Sequence, residues 1–190
     1  MHETSPSNRR RKRPPKPLDE TRMKDLALSY VARFATSSGK LETYLKRKLR
    51  ERGWEGEGEP DIRTLVSRYV ELGYVDDEAY ARARSGDLMR RGYGPRRVNQ
   101  ALTQAGIDEA VRTDVEAGEG AAREAALQMA RKRRFGPYAP NRATGPVDRA
   151  VREKQLAAMI RAGHGFGHAR AVLDAQNEEE AEEWVREAFD

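Results

Sequence analysis

Apolar residues along this chain fall three and four apart in short runs, and nearly every run ends at a glycine. Met23, Leu26, Ala27, Tyr30, Val31 and Phe34 recur at the spacing of one helix face, which predicts a first helix over 18–36 with Asp19 as its N-cap. Ser37-Ser38-Gly39 makes a turn. Leu41, Tyr44, Leu45 and Leu49 then line a second helix over 40–52, which Gly53 stops. The Gly- and Glu-rich stretch 55–59 reads as a linker before Pro60 and Asp61 open another helix.

Residues 68–107 carry the sharpest punctuation. Leu72-Gly73 closes one helix, because glycine just past an apolar run adopts the left-handed conformation without a Cβ penalty. Asp76 and Asp77 open the next, where a carboxylate accepts an orphan backbone N–H at the positive end of the dipole. Gly92-Tyr93-Gly94 breaks it, and Pro95 starts a further helix at a position where a missing N–H costs nothing. Val98 and Leu102 share the inner face of that helix, and Gly106 ends it.

Downstream, 107–116 and 120–134 read as one helix or two, with the break at Gly118 and Gly120. Three prolines and two glycines make 135–146 an inserted loop. Val151, Leu156, Met159 and Ile160 predict a helix over 148–162, followed by a short one over 166–175. An acidic helix over 178–189, with Trp184, Val185, Ala188 and Phe189 as its apolar stripe, closes the chain.

The units repeat. Leu45, Leu49 and Gly53 have the spacing of Val98, Leu102 and Gly106, and Ala169, Leu173 and Asn177 supply a third copy with Asn as terminator. Arg161-x-Gly163-x-Gly165 echoes Arg90-x-Gly92-x-Gly94. The expected fold is all-α: an elongated, curved array of tandem three-helix repeats with a disordered basic N-terminal tail. The expected division is a tail over 1–17, a first repeat and linker over 18–57, and a central three-helix repeat over 58–117. A third repeat over 118–190 holds the loop 135–146 and the acidic C-terminal helix.

Composition supports that picture. In 190 residues, 37% hydrophobic and 35% charged content leaves a thin core and a large solvated surface, as an array of small units requires. The net charge of +5 lies in the tail, where Arg9, Arg10, Arg11, Lys12, Arg13 and Lys16 face one acid, Glu3. Such a segment attracts phosphates without sequence preference. With no Cys, disulfides, thiolate metal sites and thiol nucleophiles are excluded. No apolar run approaches a membrane span, and the N-terminus has no apolar signal core. A cytoplasmic monomer is expected.

The order of residues narrows the reading. Leu-Gly-Tyr-Val-Asp-Asp-x-x-Tyr-Ala from Leu72, then Arg-Gly-Tyr-Gly-Pro-Arg-Arg-Val-x-x-x-Leu-x-x-x-Gly-Ile from Arg91, resembles the central repeat of the RecX family, bacterial regulators that act on the RecA recombinase. The likeness is specific across about 65–110 and looser outside it. It departs at Arg84, where the family usually carries an aromatic residue, and Gly86 sits mid-helix. The resemblance implies a curved rod lying in the groove of the RecA–DNA filament. It also implies modulation of the recombinase and its ATPase, most often inhibition, and through it control of DNA repair, recombination and the SOS response. No cofactor is implied.

Candidate chemistry is sparse. Adjacent helical residues point about 100° apart, so Asp76 and Asp77 do not converge on a ligand and read as caps, as Gly92 and Gly94 read as structural turns. His164 and His168 have helical spacing, but the glycines between them argue for a turn, and no metal site is expected. Gly92-x-Gly94 follows no strand, so it is no nucleotide fingerprint, and no serine sits in a nucleophile elbow. No catalytic residue is expected, and the chain reads as a binding protein rather than an enzyme. Arg82, Arg84, Arg90, Arg91, Arg96 and Arg97, with Tyr80 and Tyr93 among them, form a basic band suited to a polyanion or an acidic partner. The helix at Pro95 could also offer its backbone N–H groups to a phosphate. Two other readings remain open at this point. One is a helix-turn-helix protein that reads DNA through 95–105, with weak, non-specific contacts to single- or double-stranded phosphate. The other is a plain helical-repeat adaptor.

Overall fold

A computed structural model describes residues 16–140 and 148–189. Arg9, Arg10, Arg11, Lys12 and Arg13 of the tail, and residues 141–146 of the expected loop, lie outside them. The described residues form ten α-helices: α1 (Glu20–Val31), α2 (Ser38–Arg52), α3 (Ile62–Glu71), α4 (Asp77–Arg90), α5 (Pro95–Gln104), α6 (Glu109–Asp114), α7 (Glu119–Arg133), α8 (Arg149–Arg161), α9 (Phe166–Asp174) and α10 (Glu178–Arg186). Extended pairing among them is limited to an isolated parallel bridge between Leu18 and Trp54. The fold is all-α, as expected.

Local chemistry sets the ends. Asp19, Ser37, Asp61, Asp76, Asp108, Asp148 and Asn177 each precede a helix and accept a hydrogen bond from its first turn. Caps of this kind contribute roughly 1 kcal/mol apiece. Gly73, Gly92, Gly106 and Gly163 follow α3, α4, α5 and α8 with φ of 72°, 87°, 73° and 95°.

Three expectations change. α1 stops at Val31, more than a turn short, and the chain bends so that Phe34 faces solvent at 57% exposure while Thr36 and Ser37 are buried. Asn177 does not terminate α9: its φ is −147° and its side chain accepts from Glu180 N at 2.8 Å, so it caps α10. The start of the expected loop is ordered. Gly136–Tyr138 forms a 3-10 turn with Gly136 and Pro137 buried, and Gly136 N donates to Gln155 Oε1 at 3.1 Å. That turn packs on α9, where a Cβ at Gly136 would meet Leu173 Cα at 2.9 Å.

The core is a string of small clusters. Leu18, Met23, Leu41, Leu45, Val66 and Tyr69 anchor the first, built by α1, α2 and α3. Leu88, Val98, Leu102 and Ile107 anchor the second, around α4, α5 and α6. Met159, Ala169, Val172 and Leu173 anchor the third with α7, α8 and α9, and Leu127, Ala181 and Val185 attach α10. α7 buries Ala122, Ala125, Ala126 and Ala130, and these small side chains let its backbone approach α4, α9 and α10 together.

Candidate functional site

α5 is where neighbouring parts of the array meet, and both of its ends are docked on glycines. At its start, Gly94 N donates to Ala162 O at 2.9 Å and Arg96 N to Gly163 O at 3.2 Å. A Cβ at Gly94 would lie 2.4 Å from Gly163 C, and one at Gly163 would lie 2.4 Å from Arg97 N. At its end, Ser37 Oγ donates to Ala105 O. There Gly39 and Gly106 are in backbone contact, a Cβ at Gly39 falling 2.7 Å from Gly106 Cα.

His164 completes the first of these junctions. Its side chain is fully buried, and its Nε2 donates to Gly92 O at 3.0 Å. That bond fixes the neutral tautomer, leaving Nδ1 without a partner among the described residues. Burial holds its pKa below the ordinary value, with the hydrogen bond to Gly92 opposing and the nearby His168 adding to the lowering. His168 instead meets Glu119 at 3.1 Å and the edge of Trp184. The two histidines therefore serve different contacts, and the described residues hold no cluster of His, Asp or Glu suited to a metal ion.

The expected caps divide. Asp76 Oδ1 accepts from Ala79 N at 2.8 Å and caps α4. Asp77 reaches across to α2, accepting from Ser38 N at 2.8 Å and from Ser38 Oγ, so it fastens two helix starts together. Spacing does not reveal this, because a carboxylate in a first turn reads as a local cap whatever it touches. Gly92 takes the left-handed conformation and Gly94 is the N-cap of α5, both as structural turns.

The backbone N–H groups at the start of the Pro95 helix, which the sequence offers as a phosphate contact, are already used within the fold. Gly94 and Arg96 N–H groups go to Ala162 and Gly163, while those of Arg97 and Val98 return to Gly94 O at 3.0 and 3.1 Å. The first turn of α5 has no backbone N–H left to offer, since the turn before α9 and Gly94 O take them, while the Arg96 and Arg97 side chains stay exposed.

The basic band separates into two kinds of arginine. Arg82 pairs with Glu78 at 2.9 Å, Arg84 with Asp87 at 3.5 Å, and Arg91 with Asp87 at 3.6 Å. Arg91 also lies 5.8 Å from the centre of the half-buried Tyr93 ring. Arg90, Arg96 and Arg97 are exposed and meet no carboxylate within ion-pair distance among the described residues, Arg97 donating only to Gln100 at 2.7 Å. A Cβ at Gly86 would meet only the tip of the exposed Arg90 side chain, at 3.0 Å, which can move aside. Lys132 Nζ, donating to Arg90 O at 3.0 Å, adds a cation that sequence reasoning did not connect to the band.

A string of small helical units, locked to one another by glycine contacts, is a helical-repeat protein. The family model for the second three-helix domain of RecX matches residues 76–115, which span α4 to α6. The chain is 31% identical to the regulatory protein RecX of Myxococcus xanthus, over 85% of this chain and 89% of that one. It is 33% identical to the regulatory protein RecX of a Mycobacterium species, strain JLS, over 63% of this chain and 65% of that one. The crystal structure of RecX from Lactobacillus salivarius shares the fold, with a TM-score of 0.62 at 19% identity over 81% of this chain and 96% of that one. This chain belongs to the RecX family of regulatory proteins.

Proposed function

We propose that this protein binds the RecA–DNA filament in the cytoplasm as a monomer and restrains the recombinase and its ATPase. Through that restraint it limits recombination, DNA repair and the SOS response. One observation carries the reading beyond family membership: Arg90, Arg96 and Arg97 stand exposed, without an ion-pair partner among the described residues, on either side of a turn whose backbone is held by buried contacts. A backbone already fixed there spares the cost of ordering a loop on binding, leaving only the arginine rotamers to be fixed. The paired arginines Arg82, Arg84 and Arg91, with Tyr93, widen the surface, since exposed ion pairs are worth under about 1 kcal/mol and exchange readily. The action is steric and electrostatic, with no covalent bond made or broken. Direct contact of this band with DNA would be weak and confined to phosphates.

The helix-turn-helix reading fares worse. A reader helix inserts its N-terminal end into the major groove. The backbone at the start of α5 abuts Ala162 and Gly163, so that end is taken up within the fold and only side chains on its flank, Arg96 and Arg97 among them, face solvent.

The test is ATP hydrolysis and strand exchange by RecA with this protein present in less than stoichiometric amount. Inhibition is expected; unaltered rates even with the protein in excess over RecA would end the reading. Arg96→Glu with Arg97→Glu should weaken inhibition and leave the circular dichroism spectrum unchanged. Full inhibition by that variant would move the contact elsewhere.

A further inference from the structure

A second basic surface lies where α1, α2 and the end of α5 meet, and it adjoins the α4–α5 band at Lys40, whose Nζ lies 5.2 Å from the centre of the Tyr80 ring. Between the end of α1 and the start of α2 runs an open groove of about 610 Å³ whose lining includes Arg33, Lys40 and Arg47 and contains no carboxylate. Arg33 and Lys40 are exposed and make no ion pair among the described residues. Arg47 pairs with Glu51 at 3.0 Å, with both side chains about half exposed, and Glu51 is shared with Lys48 at 2.7 Å. Water screens that pair, so a phosphate can replace Glu51 at little cost.

Aromatic rings are interleaved with these cations. Tyr30 and Tyr44 stack with centroids 4.2 Å apart and planes 16° apart. Phe34 leans on Tyr30 at 5.3 Å while 57% of its surface remains in solvent. The Arg47 guanidinium lies 5.6 Å from the centre of the Tyr44 ring. The ring is braced from one side by the tyrosine pair while most of it stays open to a ligand.

We propose that this groove binds single-stranded nucleic acid, with Phe34 as the platform for a base and Arg33, Lys40 and Arg47 as the phosphate contacts. Positive grooves with aromatic platforms take single strands because every unpaired base presents a π-face, whereas a duplex keeps its bases stacked inside. An acidic peptide would satisfy the cations and leave the exposed ring idle. The inference is independent of the proposed action on RecA, and its test contains no RecA.

The experiment measures fluorescence anisotropy of a labelled oligothymidylate with the full chain across a salt series. A base-free deoxyribose-phosphate oligomer is run in parallel, with poly-glutamate as competitor. The oligothymidylate should bind more tightly than the base-free polymer. Phe34→Ala should weaken it roughly tenfold with little change in salt dependence, since stacking is not a counterion effect. Phe34→Trp should retain binding, which separates loss of the platform from loss of the fold. Arg33→Ala with Lys40→Ala should flatten the salt dependence by about 0.7 per cation removed. Wild-type affinity in Phe34→Ala, equal binding of the base-free polymer, no binding of oligothymidylate, or loss confined to α4–α5 variants would each overturn the proposal. Displacement by poly-glutamate as effective as by unlabelled oligothymidylate would replace the strand by an acidic protein surface.

Discussion

Single residues in this chain act across joints rather than within their own helices, and His164 is the clearest case. In the sequence it resembles half of a metal pair; in the fold it takes the place in its turn that Tyr93 holds in the preceding one, and it is sealed against Gly92 O. Because the folded state keeps the imidazole neutral, its pKa lies below the ordinary 6.5. As pH falls below that ordinary value, the unfolded chain takes up a proton that the folded chain refuses, so stability drops until the lowered folded pKa is reached. Above the ordinary value this contribution to stability is fully present. Glu119, whose carboxyl is held low by Arg123 and also by His168, loses its contribution in a separate window below the ordinary carboxylate value of 4.5. Urea midpoints should therefore decline from pH about 7.5 to about 5.5 in the wild type, within the range where a histidine titrates. In His164→Asn that decline should be much reduced, on top of a general loss of about 1–3 kcal/mol from the disrupted buried contact. An equal decline in both proteins would show that His164 does not set it.

At the scale of elements, most helices could be read from the sequence, because caps and terminators are local. Asp19, Asp61 and Asp76 announce their helices, and Gly73 and Gly106 stop theirs, through contacts only a few residues long. What escaped reading was every contact that joins distant elements. The Ser37 to Ala105 bond, the Asp77 to Ser38 bonds and the docking of Gly94 on Gly163 leave no periodic trace. The same limit applied to the candidate site. The arginines of the band are visible in the sequence, but which of them lack a carboxylate depends on folded geometry. The glycines provide a measurement of these joints. Gly163→Ala puts a Cβ 2.4 Å from Arg97 N at a φ of 95°, so backbone must move and a loss above about 2 kcal/mol is expected. Gly167→Ala, in the first turn of α9 with nothing within 4 Å of its Cβ, should be neutral or stabilise by up to about 1 kcal/mol. Thermal melts of the two variants should move in opposite directions or differ widely; similar midpoints would refute a tight α5–α8 joint.

For the whole molecule, the distribution of buried residues raises the question of where one unit ends and the next begins. The sequence suggests a central repeat over 58–117, because the Gly73 joint between α3 and α4 is short and matches the punctuation that follows. Packing suggests another boundary. Ile62, Val66 and Tyr69 of α3 lie in the cluster of α1 and α2, and the Tyr69 hydroxyl donates to Lys24 O at 3.0 Å. A boundary near Val75 also agrees with the family match that begins at residue 76. The two divisions make different predictions, because units of an array loosen with the neighbours they pack against. Leu45→Ala removes a side chain with no solvent exposure from the first cluster and should cost about 2–5 kcal/mol. With a boundary near Val75, amide exchange should rise in α1, α2 and α3 together while α7 and α9 keep their protection. If α3 belongs instead with α4 and α5, its amides should stay protected while α1 and α2 open. A uniform rise through all ten helices would contradict both divisions, since it would mean that the separate clusters and glycine joints behave as one cooperative core.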